Sequence, residues 1–344
     1  MLYAKYAFIS AYLKGEEPKV VTSDHIDRML KASSIQDALE IIRETDVGNY
    51  LEELTVKTFD DLDEYLWRYF AQRISYVESF KLLPKDIQKL LRAYIVKYDV
   101  LNIKAALQII STGKKSRMIP LGIIHNNGLL DELSTAENAS DIIELLIKCK
   151  LGNYVSALEG YKVEGGAKSK LLAETTLDSE YYKSMLSMAR HIKDGLVLSK
   201  AFGLIIDLTN LQIASRAIIE GVGPDAAECT IPGGYMITDK AIRDLLSFKL
   251  TDMPQRLENP QYRHVAEEVL SSYENTKSIT AVEEIIDKHK FRLLKEILSP
   301  RVLSPLVMAW YLILKEVEIR NLRLILKTIA DGAATEEIRE YLVL

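Results

Sequence analysis

Two cysteines in 344 residues, Cys149 and Cys229, are too few for a disulfide framework, and they stand 80 positions apart. Such sparing use fits a reducing cytoplasm. Sixteen glycines and nine prolines over this length are too few for turn-rich β architecture and favour long helices. An excess of one charge is missing as well. The 44 basic and 49 acidic residues leave a net charge of −5. A mildly acidic chain lacks the positive surplus that neutralises nucleic-acid phosphates or docks on anionic lipid. The most apolar stretch, Val302 to Leu314, holds Ser304 and Pro305 and ends at Lys315. It falls short of the roughly 20 apolar residues of a bilayer span and reads as a buried helix. Met1 to Lys14 shows no apolar segment followed by a small-residue cleavage site, so no signal peptide is expected.

Catalytic signatures are equally scarce. Gly113-Lys114-Lys115 lacks a Ser or Thr after Gly-Lys, and Gln108 stands where the first glycine of a phosphate loop belongs. Gly165-Gly166-Ala167-Lys168-Ser169 breaks the Gly-Lys pair. The histidines His25, His125, His191, His264 and His289 show no metal-ligand spacing. No Gly-x-Ser-x-Gly elbow is present. No catalytic residue, cofactor or metal is expected.

What the chain does have is helical periodicity, with 48% hydrophobic and 27% charged residues. Apolar residues at Ile35, Ala38, Leu39 and Ile42 share one face, and Ser34 with Asp37 makes a capping box. From Pro84 to Ile110 a seam of Ile87, Leu91, Tyr94, Tyr98, Leu101 and Ala105 predicts one long helix. Trp67, Tyr69 and Phe70 in a helix over 59–80 read as core. Breakers at Ser111–Arg117, Gly221–Pro224 and Ile231–Gly234 set boundaries near residues 117 and 228.

Those boundaries cut nearly equal thirds, and the thirds resemble one another. Lys85–Ile110 shifted by 108 lies on Lys193–Ile218, which brings Asp99 onto Asp207 and Asn102 onto Asn210. A further shift of 111 reaches Glu318 and Asn321. Val47-Gly-Asn-Tyr50 recurs as Leu151-Gly-Asn-Tyr154 and, degenerately, as Leu250-Thr-Asp-Met253. Each copy follows an amphipathic helix. The expected fold is therefore all-α, with three tandem homologous helical domains, 1–117, 118–228 and 229–344. Three like units tend to stack or to close around an axis; closure leaves an axial hollow suited to the end of an elongated partner. Each acid and its asparagine, three residues apart, share a helix face. A buried register-fixing pair is the favoured role. A catalytic acid–base pair is disfavoured, because an active site is normally single and this pair occurs three times. Contact with a partner, through Asp99, Asn102, Lys104, Asp207, Asn210, Gln212, Glu318, Asn321 and Arg323, is the intermediate reading. The basic loop Lys114-Lys115-Arg117 reads as solvated, or as touching an acidic surface.

Tyr6-Ala7-Phe8-Ile9-Ser10-Ala11, the run through Leu30 and Ser34–Arg43, Asp99-Val-Leu-Asn-Ile-Lys104 and Arg320-Asn321-Leu322-Arg323 together resemble the C subunit of the archaeal and bacterial A/V-type rotary ATPases. The eukaryotic counterpart is the d subunit of the V-ATPase. Ala11-Tyr12-Leu13-Lys14 departs from the arginines often found there. The resemblance implies a three-part funnel in pseudo-threefold arrangement, without an active site. In this family the protein sits between a shaft of subunits D and F and the membrane proteolipid ring, coupling rotation to proton or sodium transport. The implied place is peripheral, at the cytoplasmic face, held by the complex without membrane insertion or nucleic acid. The competing reading is a generic α-helical scaffold for a helical partner.

Overall fold

The computed structural model describes residues 4–56 and 58–343. Among them every regular element is helical and no strand forms. Shorter helices and one further long helix, Pro260–Thr276, accompany three pairs of long ones. The first helix of each pair, Phe59–Glu78, Gly166–Ala189 and Ile279–Leu298, will be called a bracing helix. The second, Lys85–Thr112, Gly195–Ile219 and Leu306–Ala330, carries the repeated acid and asparagine and will be called a motif helix.

Local chemistry explains the helix starts. Ser34 accepts the amide of Asp37 at 3.1 Å and caps Ile35–Ile41. Thr58 and Asp61 form a full capping box at the first bracing helix, as Asn138 and Asp141 do at Ala139–Lys148. Each satisfies amides that the first turn leaves unpaired. Pro84 directly precedes the first motif helix, and its carbonyl accepts the amides of Ile87 and Gln88. The helix ends are marked by Gly113, Gly221 and Gly332, with φ of 66°, 73° and 65°. Each stands eleven residues beyond Asn102, Asn210 or Asn321. A left-handed residue at this position closes a helix, and glycine adopts it without steric cost.

The chain divides into two compact units. One joins residues 1–91 to 291–344, the other is 92–290. In the first, the third motif helix packs on the first bracing helix, on Ala4–Glu16 and on Ile35–Ile41. Tyr6, Leu13, Met29, Leu62, Phe70, Leu312 and Leu322 fill its interior, and Trp67 and Tyr69 are buried as expected. In the second, Ile103, Leu107, Ile124, Leu133, Ile142, Leu146, Leu177 and Met185 belong to one continuous core. Each such side chain contributes roughly 1.5–3 kcal/mol by leaving water. Cys149 and Cys229 are buried free thiols.

Ser304 to Leu312 are buried, as expected of a core segment. The one helix among the described residues long and apolar enough to cross a bilayer is a different one, the second motif helix, Gly195–Ile219. Ile205 to Leu211 are buried without interruption, which requires cover on every side. Within it Asp207 and Asn210 are hydrogen-bonded, and Arg216 pairs with Glu174 at 2.9 Å and Glu220 at 3.0 Å. Those partners are what a core helix provides.

Candidate functional site: three copies of one fastener

Asn102 faces the backbone of Ile119. Its carbonyl oxygen accepts the Ile119 amide at 2.7 Å, and its amide nitrogen donates to the Ile119 carbonyl at 2.9 Å. Asn210 does the same to Ile231, both bonds at 2.8 Å. Asn321 does it to Val343, at 3.0 and 2.6 Å. All three asparagines are buried. Only a carboxamide places a donor and an acceptor side by side at this reach, so the residue type follows from the task.

The acids take the next stretch of chain. Asp99 accepts the amides of Ile123 and Ile124, each at 2.8 Å. Asp207 accepts those of Tyr235, Met236 and Ile237 at 3.2, 2.8 and 3.3 Å, and the Tyr262 hydroxyl at 2.9 Å. Glycines clear the approach. A Cβ on Gly122 would lie 2.4 Å from the Asp99 carboxylate, and one on Gly234 2.2 Å from that of Asp207. As sequence, Gly234 reads only as a breaker; it stands 27 residues beyond Asp207 where Gly122 stands 23 beyond Asp99, so spacing gives no signal of the closer role.

The third acid differs. Glu318 accepts the amide of Val21 at 2.8 Å, across 297 residues of sequence, within the unit that joins the two ends of the chain. Lys315, fully buried, donates to Glu318 at 3.0 Å and to the Tyr69 hydroxyl at 2.9 Å. A buried ammonium is tolerable only with such partners.

Burial dominates the titration of all three acids. It pushes Asp99 up to about 6 against the opposing pull of the Ile123 and Ile124 amides. It also raises Asp207 and Glu318 above the usual carboxylate range. Burial, then the nearby Asp207 charge, raises Tyr262.

The remaining motif residues lie nearer the surface and tie motif helices to bracing helices. Lys104 donates to Asp178 at 2.5 Å on the second bracing helix. Gln212 accepts from Lys290 at 2.9 Å on the third. Arg323 pairs with Asp63 on the first.

The Gly-Asn-Tyr landmark also has a physical basis in its first copy. A Cβ on Gly48 would sit 1.9 Å from the Ile42 carbonyl oxygen, whereas Gly152 meets nothing within 4 Å. Sequence spacing missed one histidine cluster: His264 and His289 bracket Glu268 at 2.9 and 3.0 Å. Among the described residues no group of three or more His, Cys, Asp or Glu is placed to hold a metal ion.

One fastener used three times, on three long helices, defines an all-helical protein organised by internal repetition. The chain matches the family described as ATP synthase (C/AC39) subunit over residues 9–341. It is 24% identical to the A-type ATP synthase C subunit of Methanocaldococcus jannaschii, over 99% of this chain and 86% of that one. It is 27% identical to the Pyrococcus abyssi protein of the same description, over 98% and 90%. For the Thermococcus kodakarensis protein the identity is 24%, over 98% and 90%. The chain belongs to the ATP synthase (C/AC39) subunit family. Its kind is the C subunit of A/V-type rotary ATPases, a non-catalytic part of membrane-associated complexes that link ion transport to ATP synthesis.

Proposed function

We propose that this chain is the central-stalk connector of its rotary ATPase, coupling a shaft of subunits D and F to the membrane proteolipid ring. Its repeats, 1–117, 118–228 and 229–344, close around a pseudo-threefold axis as a funnel. The shaft end enters the hollow, and the opposite face rests on the ring at the cytoplasmic side, without insertion into the bilayer.

The observation that carries this reading is the partner of Glu318. Asp99 and Asp207 each grip the beginning of the following repeat. Glu318, in the third, grips Val21, in the first. The bracing contacts obey the same rotation: first to second through Lys104 and Asp178, second to third through Gln212 and Lys290, third to first through Arg323 and Asp63. A cyclic order of contacts favours a socket over an open solenoid, which leaves its end repeats unpaired. Close-packed long helices also supply the stiffness a torque coupler needs.

The test is reconstitution. Purified full-length chain is expected to co-elute with the D–F shaft, and separately to sediment with detergent-solubilised proteolipid ring. Absence of either association would exclude the connector role and leave the generic helical scaffold.

A further inference from the structure

Each motif helix ends at a left-handed glycine, and each is followed by a connection that runs to the residue clamped by the asparagine: Gly113 to Ile119, Gly221 to Ile231, Gly332 to Val343. These three connections hold equivalent places in the repeat, yet their charges differ. The first carries Lys114, Lys115 and Arg117 and no acid. The second carries Asp225 and Glu228 and no base. The third carries Glu336, Glu337 and Glu340 against Arg339. Lys114, Lys115 and Arg117 are exposed, and the start of the loop is fixed by bonds from Gly113 to the Ile109 carbonyl at 2.7 Å and from Lys114 to the Thr112 hydroxyl at 3.2 Å. The cations thus follow directly on an anchored helix end.

On the connector reading, a socket of three near-equal walls would offer an axial partner three near-equal seatings. A shaft without threefold symmetry needs one seating to win. Discrimination comes from attraction in the right seating and repulsion in the wrong ones. One basic and two acidic connections supply both toward an acidic patch. We infer that the 113–117 loop is an orientation key, docking an acidic surface on the axial shaft and fixing the rotational register of the socket on it.

This rests on the connector reading. An anionic membrane is the weaker occupant. Polybasic lipid contacts use about four to eight cations, the loop has three, and the chain is acidic overall.

The experiment measures association of the full-length chain with purified D–F shaft across a salt series, for wild type and for K114E/K115E/R117E. At low salt the wild-type association rate is expected to exceed that of the variant by about tenfold or more, and the wild-type rate should fall more steeply as salt rises. A Gln version of the same three positions should lie between them, with all three proteins melting alike. Moving the key, by adding D225K and E228K to the triple Glu variant, should restore binding and shift shaft cross-links from 113–117 to 221–230. Equal rates and equal salt dependence for wild type and the Glu variant would overturn the key. So would loss of binding to phosphatidylglycerol vesicles with shaft binding unchanged, which would make the loop a lipid contact. Failure of the wild type to bind the shaft at all is a different result; it removes the connector reading itself.

Discussion

Asp99 exchanges nearly all its water for two backbone amides. With burial the larger effect, its carboxyl titrates at about 6 instead of the ordinary value near 4. The fold therefore favours the protonated acid. The stabilisation is fully present below about pH 4 and is lost as pH rises through 6, amounting to roughly 3 kcal/mol in all. Asp99→Asn is neutral throughout and lacks this slope. Urea denaturation of both proteins from pH 4 to 7 is expected to show the wild-type advantage shrinking by about that amount; parallel curves would contradict the assignment. Periodicity placed Asp99 and Asn102 on one face, and the preference for a register-fixing role came from their recurrence. The identity of the bonded backbone, Ile119 and Ile123, could not be read, because a hydrogen-bond partner is selected by loop geometry.

At the scale of the helix, the sequence was most informative at the ends. The capped starts at Ser34 and Thr58 and the glycine ends are local devices whose chemistry is complete within one turn. Gly221→Val forces a β-branched residue to φ of 73° and is expected to cost about 1–2 kcal/mol in urea denaturation. Gly15→Ala is the control: it lies in Ala4–Glu16 with nothing within 4 Å of the added Cβ, and should gain about 0.5–1 kcal/mol. Comparable effects at both positions would rule out the left-handed end as the cause. The second motif helix shows the opposite case. Hydropathy alone equates it with a bilayer span, and only its neighbours reveal a core helix. Composition records that a segment avoids water; it does not record what replaces the water.

For the whole molecule, the two ends of the chain build one unit. Lys14 donates to the Ser299 carbonyl at 3.1 Å, Trp310 to Glu17 at 3.0 Å, and Arg73 ties Glu16, Tyr12 and Tyr311 together. Residues 1–91 alone would expose the surface covered by Leu306–Ala330 and leave Arg73 and Tyr69 short of partners. A 1–91 fragment is therefore expected to show no cooperative unfolding by circular dichroism, and to gain helical signal when 291–344 is added. Cooperative unfolding of 1–91 by itself would show that its core is sufficient.

Apolar spacing, caps and breakers are set by neighbours within a few residues, so the sequence by itself determined that this protein is helical, where the long helices Phe59–Glu78 and Lys85–Thr112 run and that the polar motif recurs. Recurrence says nothing about which copy grips which. Tertiary structure alone decided that Glu318 takes Val21 and that Lys315 lies buried beside it. The reason is physical: a buried charge is stabilised by whichever donor packing brings within about 3 Å, and here packing brings one from the far end of the chain.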